Sequence, residues 1–566
     1  MNHEPHPSVS KTLTVGEKVG YGLGDCASNL YWKTWEFFLV YFYTDVFGLT
    51  ARSTGQLMLA TRMIDAISDP LVGYLADRTR TAWGRFRPYL LWLSLPLAVT
   101  AVLTFMTPDL SPRGKLIYAY ATYTAAMIAY TAINIPYGAL MGVISPNSEE
   151  RTSVSTYRFV AAFCGGLMIQ WLMLDLVRWF GGTSTIRVGG VTKEVVINEP
   201  FGFTATMAIF GVLAVGMFLI TFATTRERVE PEVPGEQTYQ SDIHFVLTST
   251  RLHQTLLLSI GLIFGFAATL SRTMIIGIVI GYAIASAISL FVARVAQSRM
   301  GTPDTPSTLA ADFDDLTRNR PWLSLFFFGL LQLTGHFIRG GGILFYFKYY
   351  CGDAALASHF WMLGSMTAIL GMLFTKTLVR HVAKRTLMIV LNLGVAATTA
   401  GFYLLQPDQT TAMYILQAVA GLIGGPIPVL LWAMYADVAD YSEWKTHRRA
   451  TGLVFAAATF SQKLGCAIGA ATTGFALDYF RYAPPTDGVE HPQSEFTIDG
   501  LRIMISIIPA IFLTLAALAM LAYDITGAME QQVQSELARR KRPRSESGQM
   551  TEQDDIDVDD RPDVNS

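Results

Sequence analysis

The segment Thr61-Arg62-Met63-Ile64-Asp65-Ala66-Ile67-Ser68-Asp69-Pro70 sets three ionisable side chains inside a stretch that otherwise has the apolar character of a membrane span. Arg62, Asp65 and Asp69 are spaced i, i+3 and i+7, so a helix places all three on one face as a compact charged cluster. That face cannot meet lipid. An ionisable group at bilayer depth costs at least ~2.5 to 3.5 kcal/mol, so three together require a water-lined cavity or partners on other helices. One arginine neutralises one carboxylate only, which leaves a negative site and argues against a mere staple between helices.

The rest of the chain agrees with a polytopic membrane protein. Of 566 residues, 51% are hydrophobic and 15% charged, with a mean hydropathy of +0.35, far from a soluble enzyme of this length. Apolar stretches of about 20 residues, enough for ~30 Å of hydrocarbon, fall near 30–47, 53–76, 88–107, 116–145, 154–179, 201–224, 322–348, 355–378, 385–405, 411–437, 449–480 and 501–525, twelve in all. Two further runs, 255–270 and 274–293, flank the polar Ser271-Arg272-Thr273 and predict an additional helical hairpin. The chain therefore divides into an N-terminal segment 1–18, a six-helix bundle 19–228, a central linker 229–321 with the hairpin near 255–293, a second six-helix bundle 322–526, and a disordered tail 527–566.

Arg78, Arg80, Arg85 and Arg87, then Arg226 and Arg228, then Arg380, Lys384 and Arg385, then Lys445, Arg448 and Arg449 enrich alternate loops in positive charge. Positive loops stay in the cytoplasm, so both termini are expected there. The polar amino terminus lacks a cleavable secretory signal, and the first span is expected to act as the anchor in a bacterial cytoplasmic membrane. Cys26, Cys164, Cys351 and Cys466 have neither disulfide nor metal spacing. Net charge is −2; the basic run Arg539 to Arg544 and the acidic run Asp554 to Asp560 read as a solvated tail near anionic lipid, with no nucleic-acid role. Thr185 to Ile197 has the pattern of a small hairpin.

Polar residues enter other spans in register. Asp25, Asn29, Lys33 and Glu36 form one stripe, with Lys33 and Glu36 placed to pair, and Trp32 and Trp35 beside it offer ring surface for packing or for a sugar face. Tyr123, Tyr130, Asn134 and Tyr137 share a second face, with Thr131 next to it. Arg158, His336, Arg339 and Lys463 are isolated cationic or titratable groups that each need a partner, and Gly340-Gly341-Gly342 would permit local unwinding after Arg339, with freed carbonyls facing a cavity. Both halves of the chain thus feed a central polar cavity, the form of an alternating-access carrier. No phosphate-binding loop is present, which argues against ATP-driven pumping, and no nucleophile, base and orienting group cluster as in an enzyme.

Several motifs carry a resemblance: Tyr21-Gly22-Leu23-Gly24, Tyr43-Thr44-Asp45-Val46, the Arg62/Asp65/Asp69-Pro70 segment, Asp77-Arg78, Trp83-Gly84-Arg85-Phe86-Arg87-Pro88, Ile135-Pro136-Tyr137, Asp437-Val438-Ala439-Asp440-Tyr441, and Lys463. Over nearly its whole length the chain resembles the glycoside-pentoside-hexuronide:cation symporter family of the major facilitator superfamily. The resemblance implies an all-α fold of two six-helix bundles around a central cavity, functional as a monomer, that needs no cofactor and couples a small sugar or glycoside to Na+ or H+. It further implies that Asp65 and Asp69, with Ser68 and Thr131, bind the cation. Arg62 and Lys463 complete the charge network. Asn29, Tyr130, Asn134, Arg158 and Trp432 face the sugar, and Asp77, Arg78, Arg85 and Arg87 form a gating loop. Among the departures from the family, Arg339, a further substrate-binding candidate, and His336 add positive character that favours an acidic or strongly hydrogen-bonding sugar, or Arg339 serves an internal ion pair. The family's melibiose carrier has aspartates where this chain has Asn29 and Asn134, and an asparagine at Ser68, so the galactoside grip is missing. A carrier of another amphiphile such as a lysolipid, or a non-transporting membrane sensor, are the competing readings.

Overall fold

The computed structural model describes residues 13–145, 147–188, 191–228, 314–446, 451–485 and 491–541. The first half contains α1 (Val15–Phe37), α2 (Ala51–Arg78), α3 (Arg87–Thr104), α4 (Pro112–Val143), α5 (Ser148–Gly181) and α6 (Glu199–Thr224). The second contains α7 (Arg320–Phe345), α8 (Ala355–Leu373), α9 (Lys384–Gly401), α10 (Thr410–Gly424) continued by α11 (Pro426–Thr446), α12 (Thr451–Tyr479), and α13 (Glu495–Ile505) continued by α14 (Ile507–Ala519). Ten helical segments among the described residues are long and apolar enough to cross a membrane. Helices α1 and α2 fall short of that hydropathy because they carry the polar stripe and the charged cluster, yet they lie among the others. Helix α1 packs on α5 and α6, and α2 on α4 and α12.

Local chemistry starts these helices. Thr14 and Glu17 form a reciprocal capping box, so α1 begins well before residue 30, where its apolar character begins. Thr50 caps α2, and Ser111, Asn198 and Asn319 cap α4, α6 and α7, each with proline in the first turn. The expected hairpin is present as β1 (Thr183–Val188) paired antiparallel with β2 (Val191–Val196).

Two expectations are corrected. Gly340-Gly341-Gly342 does not unwind: α7 runs unbroken through it. The missing side chains instead admit neighbours, since a Cβ on Gly341 would lie 3.2 Å from Thr473 and one on Gly342 2.9 Å from Met504. The tail is not disordered from residue 527, because Gly527–Lys541 forms α15. Its Val533 and Leu537 are buried, and Glu530 accepts from Lys384 Nζ (2.7 Å) and Glu536 from Trp444 Nε1 (2.8 Å). The 255–293 hairpin lies outside the described residues.

Packing differs at the two ends of the bundle. One continuous apolar core runs the length of the first half from Leu13 and crosses into the second half at the end away from the chain termini. There Phe37 stacks on Trp361 (4.7 Å), and Tyr41 and Tyr482 each meet Phe345 edge-on (5.7 and 5.3 Å). Toward the terminal end the second half keeps a separate core built from α7, α9, α11, α12 and α14. Between these levels α2 and α12 run against each other through Leu59, Leu464, Ala467, Ala471 and Phe475. They approach closely at Gly55 and Gly474, where a Cβ on Gly474 would sit 2.6 Å from the Gly55 nitrogen.

Candidate ion and substrate site

The α2–α12 contact leads from that glycine crossing to the charged cluster. Lys463, on α12, donates to both oxygens of Asp69 at 2.6 Å and lies 3.3 Å from Asp65 Oδ2. Asp65 is buried, and its other oxygen accepts from the Thr131 hydroxyl of α4. Ser68 turns its hydroxyl to the Asp65 carbonyl (2.8 Å). Two carboxylates, an ammonium group and a hydroxyl from three helices thus form one compact oxygen-rich site, and the ammonium belongs to the opposite half of the molecule.

Arg62 behaves differently from a counter-charge at this site. It forms no ion pair within 4 Å with Asp65 or Asp69. Its guanidinium lies 4.4 Å from the centre of the Trp32 ring, and Nε and Nη1 have no hydrogen-bond partner. The physical reason is competition: Lys463 reaches between the carboxylates from the facing helix, while Arg62, one turn away on their own helix, meets the indole face, a favourable seat for a planar cation.

An aromatic wall follows. Trp32 stacks on Tyr130 (5.7 Å), and Trp35 meets Tyr130 and Tyr123 edge-on (5.4 and 5.9 Å). Asn29 and Asn134 each donate to the carbonyl one turn back, those of Asp25 and Tyr130. Arg158 on α5 pairs with Asp25 on α1 (2.6 Å) and lies 5.3 Å from the Tyr137 ring, which stacks on Tyr21 at 4.7 Å. Asn29, Tyr130, Asn134 and Arg158 are therefore brought to one region. Arg339 and Trp432 are not joined to it by any described contact. Arg339 is clasped by Phe360 and Phe402 (5.5 and 4.9 Å), and Trp432 stacks on Phe455 (5.9 Å), all within the second half.

The loop of Arg78, Arg85 and Arg87 is held by a residue that sequence reasoning missed. Glu227 accepts from the backbone N–H groups of Arg85, Phe86 and Arg87 (2.9, 2.8 and 3.1 Å), a carboxylate at the start of α3. Gly84 makes this approach possible, with φ +112° and space in which a Cβ would strike Glu227 at 2.4 Å. The Arg87 side chain is tied to the Phe222 and Trp83 carbonyls (2.7 and 3.1 Å). Arg78 ends α2 at the surface. Asp77 lies in the last turn of α2, and its side chain is outside the described residues.

A second inter-half cluster, also missed, surrounds Asp45 just beyond α1. Its side chain is fully buried and accepts from Lys348 (3.1 Å), Tyr349 (2.7 Å), Tyr482 (2.6 Å) and Thr44 (3.0 Å). Lys348 also donates to the Tyr41 hydroxyl (2.9 Å), which donates to Glu199 (2.9 Å). The signal was an aspartate ending an apolar span, matched by a lysine among tyrosines at the corresponding end of the seventh.

The same architecture occurs in known carriers. A family described as MFS/sugar transport protein matches residues 20–276 and 245–527. The inner membrane symporter YicJ of Escherichia coli K12 is 30% identical over 534 residues, 94% of this chain and 97% of that protein. The isoprimeverose transporter of Lactiplantibacillus pentosus is 29% identical over 532 residues, 92% and 91% of the two chains. In fold, the chain is similar to the inward-open xylose transporter XylE from E. coli (TM-score 0.50, 14% identity, 92% and 98% covered) and to the nucleoside transporter NupG (TM-score 0.52, 13% identity, 90% and 100% covered). With matching motifs, matching length and a two-bundle fold, this chain belongs to the MFS/sugar transport protein family, in its glycoside-pentoside-hexuronide:cation symporter branch.

Proposed function

We propose that this protein imports a glycoside together with a monovalent cation, with Asp65 and Asp69 as the cation ligands and Lys463 as the internal counter-ion of the empty site. The observation that carries this reading is the Lys463 ammonium seated between the two carboxylates from the opposite half. Rocking the halves apart at this level withdraws the lysine. The buried carboxylates then need another cation, because a charge left unpaired in a low-dielectric site is costly. A sodium ion would take the oxygens of Asp65, Asp69 and Thr131, whereas a proton would settle on one carboxylate. Coupling follows because each ligand favours the doubly loaded form.

The positive-inside pattern supports placing both termini in the cytoplasm. The Asp45 cluster then closes the outer face, and the split cores describe a carrier shut to the outside. Sugar would lie along Trp32 and Tyr130, within reach of Asn29, Asn134 and Arg158. The 19–228 and 322–526 bundles are the rocking bodies, and one copy of the chain suffices.

The test is transport in proteoliposomes with a glycoside panel, with and without sodium, at two pH values. Asp65→Asn and Asp69→Asn should keep exchange of sugar down its gradient and lose cation-driven accumulation. Full accumulation in both variants refutes the assignment.

A further inference from the structure

Helices α5 and α8, one from each half, pack on each other and leave a cleft of about 330 Å3 between them. It lies near the end away from the chain termini. Asp175 stands six residues, about 9 Å, before the end of α5, and Ser358 three residues, about 5 Å, after the start of α8. Trp171, Asp175 and Trp179 recur every four residues and so share one face of α5, with Trp171 58% and Trp179 74% exposed. On α8 the cleft is lined by Ser358, His359 and Met362. The interior at this level is filled by apolar core and by the Asp45 cluster, so the cleft opens on the perimeter of the bundle. Exposed tryptophans near a helix end mark the depth at which acyl chains give way to headgroups.

The polar groups of the cleft are left unsatisfied by the protein. Asp175 and His359 are exposed and form no hydrogen bond or ion pair with the described residues. Arg178 has one ion-pair partner among them, Asp353 of the other half at 4.0 Å, and Asp353 already accepts from the Ala355 N–H (2.8 Å). Ser358 is 7% exposed and lines the cleft, yet its hydroxyl has no partner. A buried hydroxyl left unpaired is costly, as is a carboxylate facing lipid. Two carboxylates against one guanidinium make the cleft net negative, which turns away an anionic lipid. A fitting ligand brings a cation for Asp175 and an acceptor for Arg178, Ser358 and His359.

From this arrangement we infer that the α5–α8 cleft is a seat for a zwitterionic phospholipid with a primary-amine headgroup, a phosphatidylethanolamine of the leaflet at this end. The ammonium meets Asp175, and the phosphate takes donors from Arg178, Ser358 and His359. A quaternary ammonium has no N–H to give the carboxylate, and a glycerol headgroup brings no positive charge. An acyl chain continues deeper along Trp171 and Met362. The lipid touches both halves, so its binding stabilises their contact at this end. The seat stands apart from the sugar and cation residues, and the inference does not depend on the symport reading.

The test titrates the purified full-length protein, stripped of lipid in detergent, with dioleoyl phosphatidylethanolamine, phosphatidylcholine and phosphatidylglycerol. Native mass spectrometry reads the retained lipid, and a thermal melt reads the stabilisation. Charge-assisted hydrogen bonds predict about tenfold tighter retention of phosphatidylethanolamine than of the other two, with a matching rise in melting temperature. Asp175→Asn should bring phosphatidylethanolamine down to the level of phosphatidylcholine, and Arg178→Gln should weaken both. Asp175 is exposed, so exchange for the isosteric amide gives the fold no reason to fail, and the comparison of lipids on the unaltered protein decides by itself. Equal retention of the three lipids, tighter binding of phosphatidylglycerol, retention of none, or a phosphatidylethanolamine preference that survives Asp175→Asn each overturns the inference.

Discussion

Removing the Tyr482 hydroxyl tests whether the Asp45 cluster holds shut the end of the bundle away from the chain termini. That hydroxyl donates to Asp45 at 2.6 Å and lies 2.8 Å from the Tyr349 oxygen. Tyr482→Phe keeps the ring against Phe345 and Tyr349 (5.3 and 5.4 Å), so the apolar contact survives. A hydrogen bond to a charged acceptor contributes about 1.5 to 3 kcal/mol. Since ~1.4 kcal/mol is tenfold in an equilibrium, the ratio of carrier open at that end to carrier closed there should rise by about 10- to 150-fold. Asp45 keeps Lys348, Tyr349 and Thr44, so the fold has no reason to fail. The assay is pulsed electron paramagnetic resonance between nitroxides at Asp109→Cys and Asp408→Cys, exposed positions on loops of opposite halves, with the four native cysteines replaced. A longer-distance population should grow in the variant. An unchanged distance distribution in a protein that melts normally refutes the idea that this cluster is a gate.

The same spin-label pair should show a shift toward the open state in Gly474→Ala, because the new methyl meets Gly55 and Ala51 backbone atoms at 2.6 to 2.7 Å. Overpacking of this kind costs about 1 to 3 kcal/mol in the closed state, and a closed population equal to wild type would count against the glycine crossing. Glu227→Ala leaves three amide groups at the start of α3 without their carboxylate. By analogy with capping residues it should lose about 0.5 to 2 kcal/mol of stability, read as a lower melting temperature in detergent; an unchanged melt contradicts that role.

Several features of the site could be read from spacing. Arg62, Asp65 and Asp69 had to share a face because helical periodicity leaves no choice, and Lys33 and Glu36 were close enough in sequence to pair. Partners distant in sequence were harder. Lys463 was visible as a lone cation needing a carboxylate, and the resemblance directed it to Asp65 and Asp69. Nothing local to Arg62 told that it would abandon those carboxylates for Trp32. The Asp45 cluster escaped notice because its tyrosines carry no charge and read as ordinary aromatics until the fold gathers them. The helix 527–541 escaped because its polar composition masked Met529, Val533 and Leu537, an i, i+4, i+8 stripe that is enough to dock a short helix.

The sequence by itself determined the membrane class, the faces of the polar helices and the family, since hydropathy and helical period are local properties and motifs are linear. Only the tertiary structure decided which cation neutralises which carboxylate, that the glycine triplet packs instead of unwinding, and that the halves meet around Asp45 at one end while keeping separate cores toward the other. Those outcomes are competitions among groups hundreds of residues apart. Burial, distance and the angle of approach settle them, and none of these is a property of the linear chain.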